Sequence, residues 1–449
     1  MHSFVVEAWI NDVAIANVQP DTPSPSKRAR TTENDDEIAS FELDTDVARW
    51  PIADQRCCPK LEVGIVIPNR ARQQTSLSRD PSETSRSQSR SASPTKRFLK
   101  TESLLSLAVP IEFIKPRPLA AAVPNDAYKL MEALSAIVAG ETLLPAVLRS
   151  HPDFQNDPQI RRHAWRDETQ PASAAAAAAE HTAALQNHEH LCRLVDESLA
   201  SANRHRSEAG WNNLVHTPLL QHATQNISHL EVEPIMSAQI LPACRPLLAS
   251  GKRVPLPSSE ASTAGSSASG RSFAPIATSV HKMVDYALVL RPSDTLQTLI
   301  NEFLASEPWE RQSINQTRYE PLRAQPAPIF IETKTISGTK DSANMQLSIW
   351  VAAWRERMRT VALRAGSNDK ILTLPVIQVT GGDVWSVLYV VDDGNRIRVL
   401  DGNCRIGTTD SILGIYQLQA SIAALGCWVE ETFTPWLTDL LSRAVENEA

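Results

Sequence analysis

A short apolar segment that ends in two opposite charges constrains the fold of this chain most. Residues 329–333 follow two prolines and run into Ser337-Gly338, so turn signals bound a strand-length segment on both sides. Residues two positions apart in a strand point to the same face, so Glu332 and Lys334 project together from a predicted core strand. Burying both charges is costly unless they pair or bind a metal ion. The alternative is a strand end whose charges reach water.

Three other segments carry polar residues that bear on this strand. Residues 283–290 form a second strand candidate, rich in β-branched and aliphatic residues, with Asp285 near its start. Downstream, Gln346 opens a strongly apolar helix, and upstream, Glu208 begins a helical segment. Each residue also has an ordinary explanation, because a lone Asp at a strand start is usually a cap and a lone Gln or Glu on a helix is usually solvated.

The order of these residues resembles the PD-(D/E)XK nuclease superfamily, which places an Asp on one strand, Glu-x-Lys on the next and Gln on the following helix. The run from Glu208 to Leu220 resembles the first helix of that core, and residues 313–322 resemble a fungal branch of PD-(D/E)XK nuclease-like proteins. The resemblance covers residues 113–449, roughly. This chain departs from the family pattern in two ways. Val284 rather than Pro precedes the Asp, and the segment between the Asp and the Glu is long.

By this resemblance the chain hydrolyses phosphodiester bonds of DNA or RNA with a divalent ion, Mg²⁺ or Mn²⁺. Such hard cations take oxygen ligands and keep several waters, and the resemblance assigns the ligands to Asp285, Glu332 and the Thr333 carbonyl. Lys334 then orients the attacking water or neutralises charge that develops on the phosphate. The residues given a catalytic role, the last two as supporting residues, are Asp285, Glu332, Lys334, Gln346 and Glu208.

A second function stays open, in which the nuclease fold has lost turnover and acts by binding nucleic acid or protein. The net charge of −7 argues against a globally basic nucleic-acid binder, although 44 Lys and Arg residues leave room for a local basic groove. Retention of Asp, Glu, Lys and Gln favours catalysis, because a structural descendant gains nothing from charges in a buried strand. Arg318 and Arg355 are weaker candidates for phosphate contact, and His216 is interpreted as a core histidine bonded to a carbonyl.

The order of predicted strands and helices along the chain indicates an α/β fold with a mixed central β-sheet flanked by helices. This is the restriction-endonuclease-like core that the resemblance implies. Hairpin turns are predicted at Gly381-Gly382 and Asp393-Gly394. The alanine tract at 172–184 indicates an exposed helix or a low-complexity spacer, and Pro218 indicates a kink or break. Strands are predicted at residues 230–240, 283–290, 329–334, 374–379, 385–391 and 396–400. Helices are predicted at residues 126–138, 143–149, 190–223, 293–304, 411–425 and from a cap at Asp341 or Ser342.

Composition divides the chain into a leader and one domain. Residues 1–108 are rich in Ser, Thr, Pro, Arg and acidic residues, which bury too little apolar surface to offset the entropy of ordering. A mostly disordered leader is therefore predicted there, followed by the nuclease-like domain at 109–449. Within the domain, the Ser-, Gly- and Ala-rich residues 250–279 predict a flexible loop inserted between two core strands.

Other features indicate an intracellular protein. Glu7 and Asp12 interrupt the N-terminal apolar stretch, unlike in a signal peptide, and no run approaches the length of about eighteen apolar residues that a membrane helix needs. The six cysteines lack C-x-x-C spacing, which predicts reduced thiols and argues against a zinc site. Basic clusters at 27–30 and within 76–97 are equally typical of nuclear import signals and of solubilising charge. The oligomeric state stays open.

Overall fold

One mixed sheet of seven strands organises the domain. The computed structural model describes residues 101–155, 157–167, 172–252 and 284–448. The strands are β1 (Ile111–Ile114), β2 (Leu230–Pro234), β3 (Tyr286–Leu290), β4 (Ile329–Thr333), β5 (Leu374–Thr380), β6 (Val384–Asp392) and β7 (Ile397–Thr408). Their order across the sheet is β1-β7-β6-β5-β4-β3-β2. The pairs β1–β7 and β4–β5 are parallel and the others antiparallel, so the predicted mixed sheet is confirmed.

The central strands are buried on both faces. Every residue of β3 and β4 is buried, and so are the first six residues of β5. Continuous apolar runs of this kind are expected where helices cover both faces of a sheet. The edge strands β1 and β2 are short and only partly buried. Glu332 is thus placed in the most deeply buried part of the sheet.

Helices flank the sheet, as predicted for the α/β class. Two π-helical turns, Asn212–His216 and Val429–Phe433, each join two helices into one longer run. The α-helices of the described residues are α1 (Asn125–Val138), α2 (Pro152–Gln155), α3 (Ala174–Asn203), α4 (Glu208–Trp211), α5 (Thr217–Thr224), α6 (Asp294–Ser306), α7 (Lys340–Arg364), α8 (Ile412–Trp428) and α9 (Thr434–Glu446).

Each π-helical turn is followed by a Thr-Pro pair. Thr217-Pro218 opens α5, and Thr434-Pro435 opens α9. A proline inside an α-helix lacks the amide hydrogen and clashes with the carbonyl four residues earlier, and a widened turn relieves both problems. The Thr434 hydroxyl donates to the Val429 carbonyl at 2.8 Å, which satisfies an acceptor in the widened turn. The irregularity predicted at Pro218 is therefore a π-helical turn just before it, while the break in the helix comes at residues 204–207.

Helix α7 is buried along most of its length against the central strands. Thr339 caps it by accepting a hydrogen bond from the Ser342 amide at 3.1 Å, so the cap is Thr339 rather than Asp341 or Ser342. Trp350 packs edge-to-face on Phe330 of β4, with ring centroids 5.8 Å apart. This contact fixes the helix over the strand of the charged pair.

The helical run of α8 and α9 contains an 18-residue window that is long and apolar enough, by length and composition alone, to cross a membrane. No such run was expected from the sequence, because Gly, Ser and Gln interrupt the apolar residues. These residues add no charge, so the run as a whole is still apolar. Within the domain, 56% of that window is buried. Leu418, Ile422 and Leu425 are fully buried in the core, so packing accounts for the apolar composition of this run.

The sequence patterns predicted most elements correctly. Both hairpin turns join the strands that were expected, and the alanine tract forms the exposed first part of α3. Residues 143–149, expected as a helix, contain only the 3-10 turn Ala146–Leu148. The strand expected to reach residue 240 ends at Pro234, which has no amide hydrogen to donate to a ladder. Helix α9 was not expected.

Some predictions concern residues outside the described ranges. The predicted leader, with its basic clusters, lies outside the described ranges up to residue 100. Residues 253–279 of the predicted loop lie outside them as well. Residues 101–106, assigned to the leader, form a 3-10 turn in which Leu104 is buried, and Leu107 forms a β-bridge to Leu248. Ordered structure therefore begins before residue 109.

A buried ion pair between α6 and α7 gives the first test. Glu307 accepts hydrogen bonds from Arg357 at 3.1 Å and Arg364 at 3.2 Å, and the Arg357 side chain is 1% exposed. Glu307→Gln should lower the free energy of unfolding by about 3–5 kcal/mol, because it leaves a guanidinium charge buried without its counter-ion. Urea unfolding monitored by tryptophan fluorescence measures the change.

The double variant Glu307→Gln with Arg357→Met is the control for this test. It removes both charges, so most of the lost stability should return. A double variant as unstable as the single one would show that packing, and not the unpaired charge, is responsible.

Candidate active site

The carboxyl end of β4, the start of β3 and the turn between β5 and β6 meet at one edge of the sheet. Strands β4 and β5 are parallel and both end there, whereas β3 is antiparallel to β4 and begins there. The Asp285 amide donates to the Ile331 carbonyl at 3.0 Å, and the Lys334 amide donates to the Val379 carbonyl at 2.9 Å. These bonds extend the strand ladders just far enough to hold Asp285, Glu332 and Lys334 at the same edge.

The ammonium group of Lys334 is bonded to three oxygens. Its Nζ donates to Oε1 of Glu332, to the Thr333 carbonyl at 2.8 Å and to Oε2 of Glu208 at 3.4 Å. The Lys334 side chain is 7% exposed and that of Glu332 is 0% exposed. The two charges thus pair inside the protein, and the alternative in which both reach water is wrong.

The Asp285 carboxylate is held by the end of β4. Its Oδ2 accepts from the Thr333 amide at 2.8 Å and from the Thr333 hydroxyl at 2.7 Å. Its Oδ1 lies 3.4 Å from Nδ2 of Asn212, a long contact for a hydrogen bond. One oxygen of this carboxylate is therefore fixed, and the other is only weakly bonded.

Helix α4 brings Glu208 to the site. Ser207 caps this helix, and its hydroxyl accepts from the Gly210 amide at 3.3 Å. Glu208 lies in the first turn, where the helix dipole favours a carboxylate. Its side chain keeps 26% exposure, so of the two carboxylates bonded to Lys334 it is the one that reaches solvent.

The π-helical turn after α4 supplies a chain of polar contacts behind the site. His216 donates from Nε2 to the Gly382 carbonyl at 2.6 Å, and its Nδ1 lies 2.8 Å from Oδ1 of Asn212. The same Asn212 oxygen lies 2.9 Å from the Thr333 hydroxyl. Burial lowers the pKa of His216 to about 4, so its ring is neutral. As predicted, His216 is a core histidine bonded to a carbonyl.

Gly382 lies too close to α4 for any side chain. Its φ is +95°, and a Cβ there would come within 2.5 Å of the Trp211 ring. The Gly382 amide donates to the Lys334 carbonyl at 3.0 Å, while its own carbonyl accepts from His216. The turn between β5 and β6 thus ties the residues after β4 to the helical run that carries Glu208.

The site holds more negative than positive charge. Burial raises the pKa of Glu332 well above its ordinary value, and the nearby Asp285 raises it further. Burial also raises the pKa of Asp285, although Lys334 opposes this. Burial lowers the pKa of Lys334, but its carboxylate neighbours outweigh that effect and raise it overall. One ammonium therefore faces the three carboxyl groups of Asp285, Glu332 and Glu208, and the buried Glu332 keeps a proton most readily.

One carboxylate oxygen at the site has no hydrogen-bond partner among the described residues. This atom, Oε2 of Glu332, is fully buried, and leaving such an acceptor unsatisfied costs about 1–3 kcal/mol. Together with the weakly bonded Oδ1 of Asp285, it offers the hard oxygen donors that fit Mg²⁺ or Mn²⁺. The Thr333 carbonyl, predicted as a further ligand, is bonded to Lys334 in this structure.

The remaining predicted residues are Gln346, Arg355 and Arg318. Gln346 is buried in the second turn of α7, the helix that follows the Glu332 strand. Arg355 is buried and bonded to Asp392 at 2.9 Å, so its assignment as a phosphate contact is wrong. Arg318 lies over the Trp309 ring with its guanidinium carbon 5.1 Å from the ring centre, which gives it a structural contact of its own.

Sequence reasoning missed the roles of Asn212 and Gly382. Asn212 lies next to Trp211 and four residues before His216, and a helical face that carries Asn and His at this spacing is the signal that could have placed it beside a polar site. Gly382 was assigned only to a turn. Its contact with Trp211 joins segments far apart in the chain, so no local pattern predicts it.

Part of the chain matches a protein-family model. The model of the PD-(D/E)XK nuclease superfamily matches residues 150–434, which is more than half of the chain. That segment contains every residue predicted to be catalytic or to hold the metal. No curated protein and no solved structure matches the chain.

The buried Glu332 carboxyl gives a test of the charge balance. Glu332→Gln resembles the protonated residue, so it should raise the free energy of unfolding at neutral pH by on the order of 1 kcal/mol. Because the pKa of Glu332 is higher in the folded protein than in the unfolded chain, ionisation of Glu332 costs stability only above its unfolded-state pKa of about 4.3. The gain should therefore disappear as the pH falls to that value. Urea unfolding in a chelator at both pH values measures it.

Lys334→Met is the opposite case, since it removes the ammonium and leaves carboxylates facing each other. It should lower the free energy of unfolding at neutral pH by about 3–5 kcal/mol. The exposed Glu320, paired with Arg323 at the surface, gives a matched Glu320→Gln control with little effect. A gain for Glu332→Gln that is independent of pH would contradict the charge balance described here.

Proposed function

This chain belongs to the PD-(D/E)XK nuclease superfamily, and we propose that it hydrolyses phosphodiester bonds of nucleic acid at the Asp285–Glu332–Lys334 cluster with a divalent ion. The observation that carries the proposal is the Oε2 atom of Glu332, which lies buried beside a second carboxylate and has no hydrogen-bond partner in the described part of the chain. A fold gains no stability from such an atom, so its presence is best explained by a ligand.

The charge balance supports a cation at this place. Asp285, Glu332 and Glu208 together exceed the single positive charge of Lys334, and burial makes the excess more costly than it would be in water. When bound, a divalent ion polarises the phosphate and lowers the pKa of an attacking water. The chain's own contribution is to hold the Asp285 carboxylate rigidly through the Thr333 amide and hydroxyl.

Lys334 has two tasks in this proposal. In the structure its Nζ neutralises Glu332 and covers the Thr333 carbonyl. For that carbonyl to serve as a ligand, Nζ has to move, and Glu208 offers an acceptor on the solvent side. The freed ammonium then donates to the attacking water or to a phosphate oxygen, where charge develops in the transition state.

Asn212 and His216 are positioning residues in this proposal. Neither is bonded to Lys334 in the structure; they hold the Thr333 hydroxyl and the Gly382 carbonyl, respectively. Because His216 is 1% exposed and its ring nitrogens face the Gly382 carbonyl and the Asn212 amide, it offers no proton acceptor to a substrate. Glu208, the carboxylate of the cluster that reaches solvent, is the candidate for the general base that accepts the proton of the attacking water.

A second function is favoured by the closed geometry of the same cluster. The Lys334 ammonium already satisfies Oε1 of Glu332, the Thr333 carbonyl and Glu208, so an ion-paired site can exist without any metal. In that case the domain binds nucleic acid or protein without turnover. The two functions predict different results in a cleavage assay.

A cleavage assay on mixed DNA and RNA tests the proposed activity. The wild type should cleave with Mg²⁺ or Mn²⁺ and lose activity in a chelator. Glu332→Gln should abolish cleavage because it removes a metal-binding charge, and Lys334→Ala should lower turnover by roughly 10²-fold, the effect of losing one transition-state donor. Glu320→Gln, at an exposed carboxylate paired with Arg323 at the surface, should cleave like the wild type.

Two results would reject the activity. Cleavage by Glu332→Gln at the wild-type rate would show that the catalytic assignment is wrong. Absence of cleavage by the wild type, with nucleic-acid or protein binding that survives both substitutions, would establish the binding function instead.

The raised pKa of Glu332 predicts how metal affinity depends on pH. A proton competes with the cation for this carboxyl, so below its pKa the Kd for Mg²⁺ should rise about tenfold for each unit by which the pH falls. Titration calorimetry in buffers of different ionisation enthalpy should show that protons are released on binding. Glu332→Gln should remove this release, and a Kd independent of pH would place the ion elsewhere.

A further inference from the structure

We propose that His151, Asp153, His188 and Cys192 form a structural zinc site, remote from the nuclease cluster. The first three residues place one ligand atom each within 4.8 Å of one another. Cys192 lies one helical turn after His188 on α3, so both side chains project from the same face. The proposal concerns a second metal and does not depend on nuclease activity.

Four of the six distances between the ligand atoms are close to those expected around one tetrahedral ion. Zinc bonds of about 2.0–2.1 Å to nitrogen or oxygen and about 2.3 Å to sulfur place neighbouring ligand atoms about 3.3–3.6 Å apart. In the structure, Oδ2 of Asp153 lies 3.0 Å from Nε2 of His188 and 3.7 Å from Nδ1 of His151. The Cys192 sulfur lies 3.5 Å from that His188 nitrogen and 3.7 Å from the Asp153 oxygen.

An ordinary hydrogen bond between Asp153 and His188 explains only one of these distances. It does not require a thiol to lie against the same nitrogen and the same oxygen, and it does not require a second imidazole to face that oxygen. The Asp153 oxygen is shared, because it lies within 3.7 Å of a nitrogen of each histidine and of the Cys192 sulfur, so a cation beside it would be within reach of all four side chains. The cluster contains two imidazoles, one carboxylate and one thiol.

The hydrogen bonds around the two histidines suit metal ligation. Nδ1 of His151 accepts only a long bond from the Asp153 amide at 3.4 Å, which a bond to the metal would replace. Nδ1 of His188 lies 3.3 Å from the hydroxyl of Tyr416 on α8, which leaves Nε2 to face the cluster. Ligating histidines usually bond a protein group through the second ring nitrogen, and Tyr416 occupies that position.

The donor set selects zinc over the ion proposed for the nuclease cluster. Imidazole and thiolate ligands suit Zn²⁺, whereas Mg²⁺ prefers oxygen ligands only. With four protein ligands the site is coordinatively closed, which is typical of a structural and not of a catalytic zinc. Its function would be to fasten the segment around α2 to helix α3.

The site lies apart from the nuclease cluster along α3. Cys192 is eleven residues before the end of this helix at Asn203, a length of about 16 Å at 1.5 Å per residue, and Glu208 lies beyond that end. His188 is 1% exposed and packs against Phe154, with ring centroids 4.6 Å apart. Two different ions are therefore expected at two separate places in one domain.

Zinc content of the tag-free full-length chain tests the proposal. After a chelator wash, refilling with Zn²⁺ and gel filtration, the wild type should retain about one zinc per chain by mass spectrometry of the metal. Cys192→Ser and Asp153→Asn should each weaken zinc binding by at least about 100-fold in chelator competition, since even outer-shell changes cost 10- to 100-fold. Asp153 is largely exposed, so Asp153→Asn should still fold if Cys192→Ser does not.

Cobalt provides a readout of the ligands themselves. The Co²⁺-loaded wild type should show the intense visible bands of a tetrahedral site and a near-ultraviolet thiolate charge-transfer band. Cys192→Ser should lose the charge-transfer band, while Cys404→Ser, a matched control at another partly buried cysteine, should keep it. Zinc should raise the unfolding temperature of the wild type but not that of Asp153→Asn.

The nuclease variants separate this site from the first. Glu332→Gln should retain the same zinc content as the wild type, so failure of the nuclease assay has no bearing on the zinc result. Wild-type zinc content no higher than that of Cys192→Ser would overturn the proposal. So would a Co²⁺ spectrum that Cys192→Ser leaves unchanged.

Discussion

The structure depends on one ammonium group buried among carboxylates. Lys334 is bonded to Glu332 and Glu208 and faces Asp285, in a part of the sheet where water does not reach Glu332. Such a cluster is stable only if every surrounding element holds its position, because a small displacement leaves a buried charge unpaired. The cap of α4, the π-helical turn and the close approach of Gly382 all serve this requirement.

The sequence predicted the parts of this arrangement that are local. Apolar runs bounded by turn signals located β3, β4 and both hairpins, because buried strands need β-branched and aliphatic residues whatever their neighbours are. The order of Asp285, Glu332, Lys334 and Gln346 indicated the cluster through a family resemblance, and the family itself is confirmed. Contacts between distant segments could not be predicted in this way. The residues near Gly382 in the sequence do not show that it packs on Trp211, and those near Cys192 do not show that Asp153 lies beside it.

The two clusters show different limits of sequence reasoning. The nuclease cluster has its residues in a family order, so a motif search reaches it. The four residues of the proposed zinc site come in two pairs, H-x-D and H-x-x-x-C, that are separated by residues 154–187. Cysteine spacing argued against zinc because it considers cysteine pairs only. A mixed ligand set with one cysteine becomes visible once α2 is seen to pack against α3.

The pairing of β1 with β7 has a consequence for how the chain acquires its structure. Ile111 is in register with Ile397, so the first strand of the sheet finds its partner only in the last one. A ribosome has to deliver nearly the whole domain before that ladder can form, and until then the hydrogen-bonding edge of β1 is unpaired. Closing a loop of this length is slow and exposes apolar strands to other chains in the meantime. Efficient production of this protein should therefore depend on chaperones that protect the nascent chain until its C-terminal strands emerge.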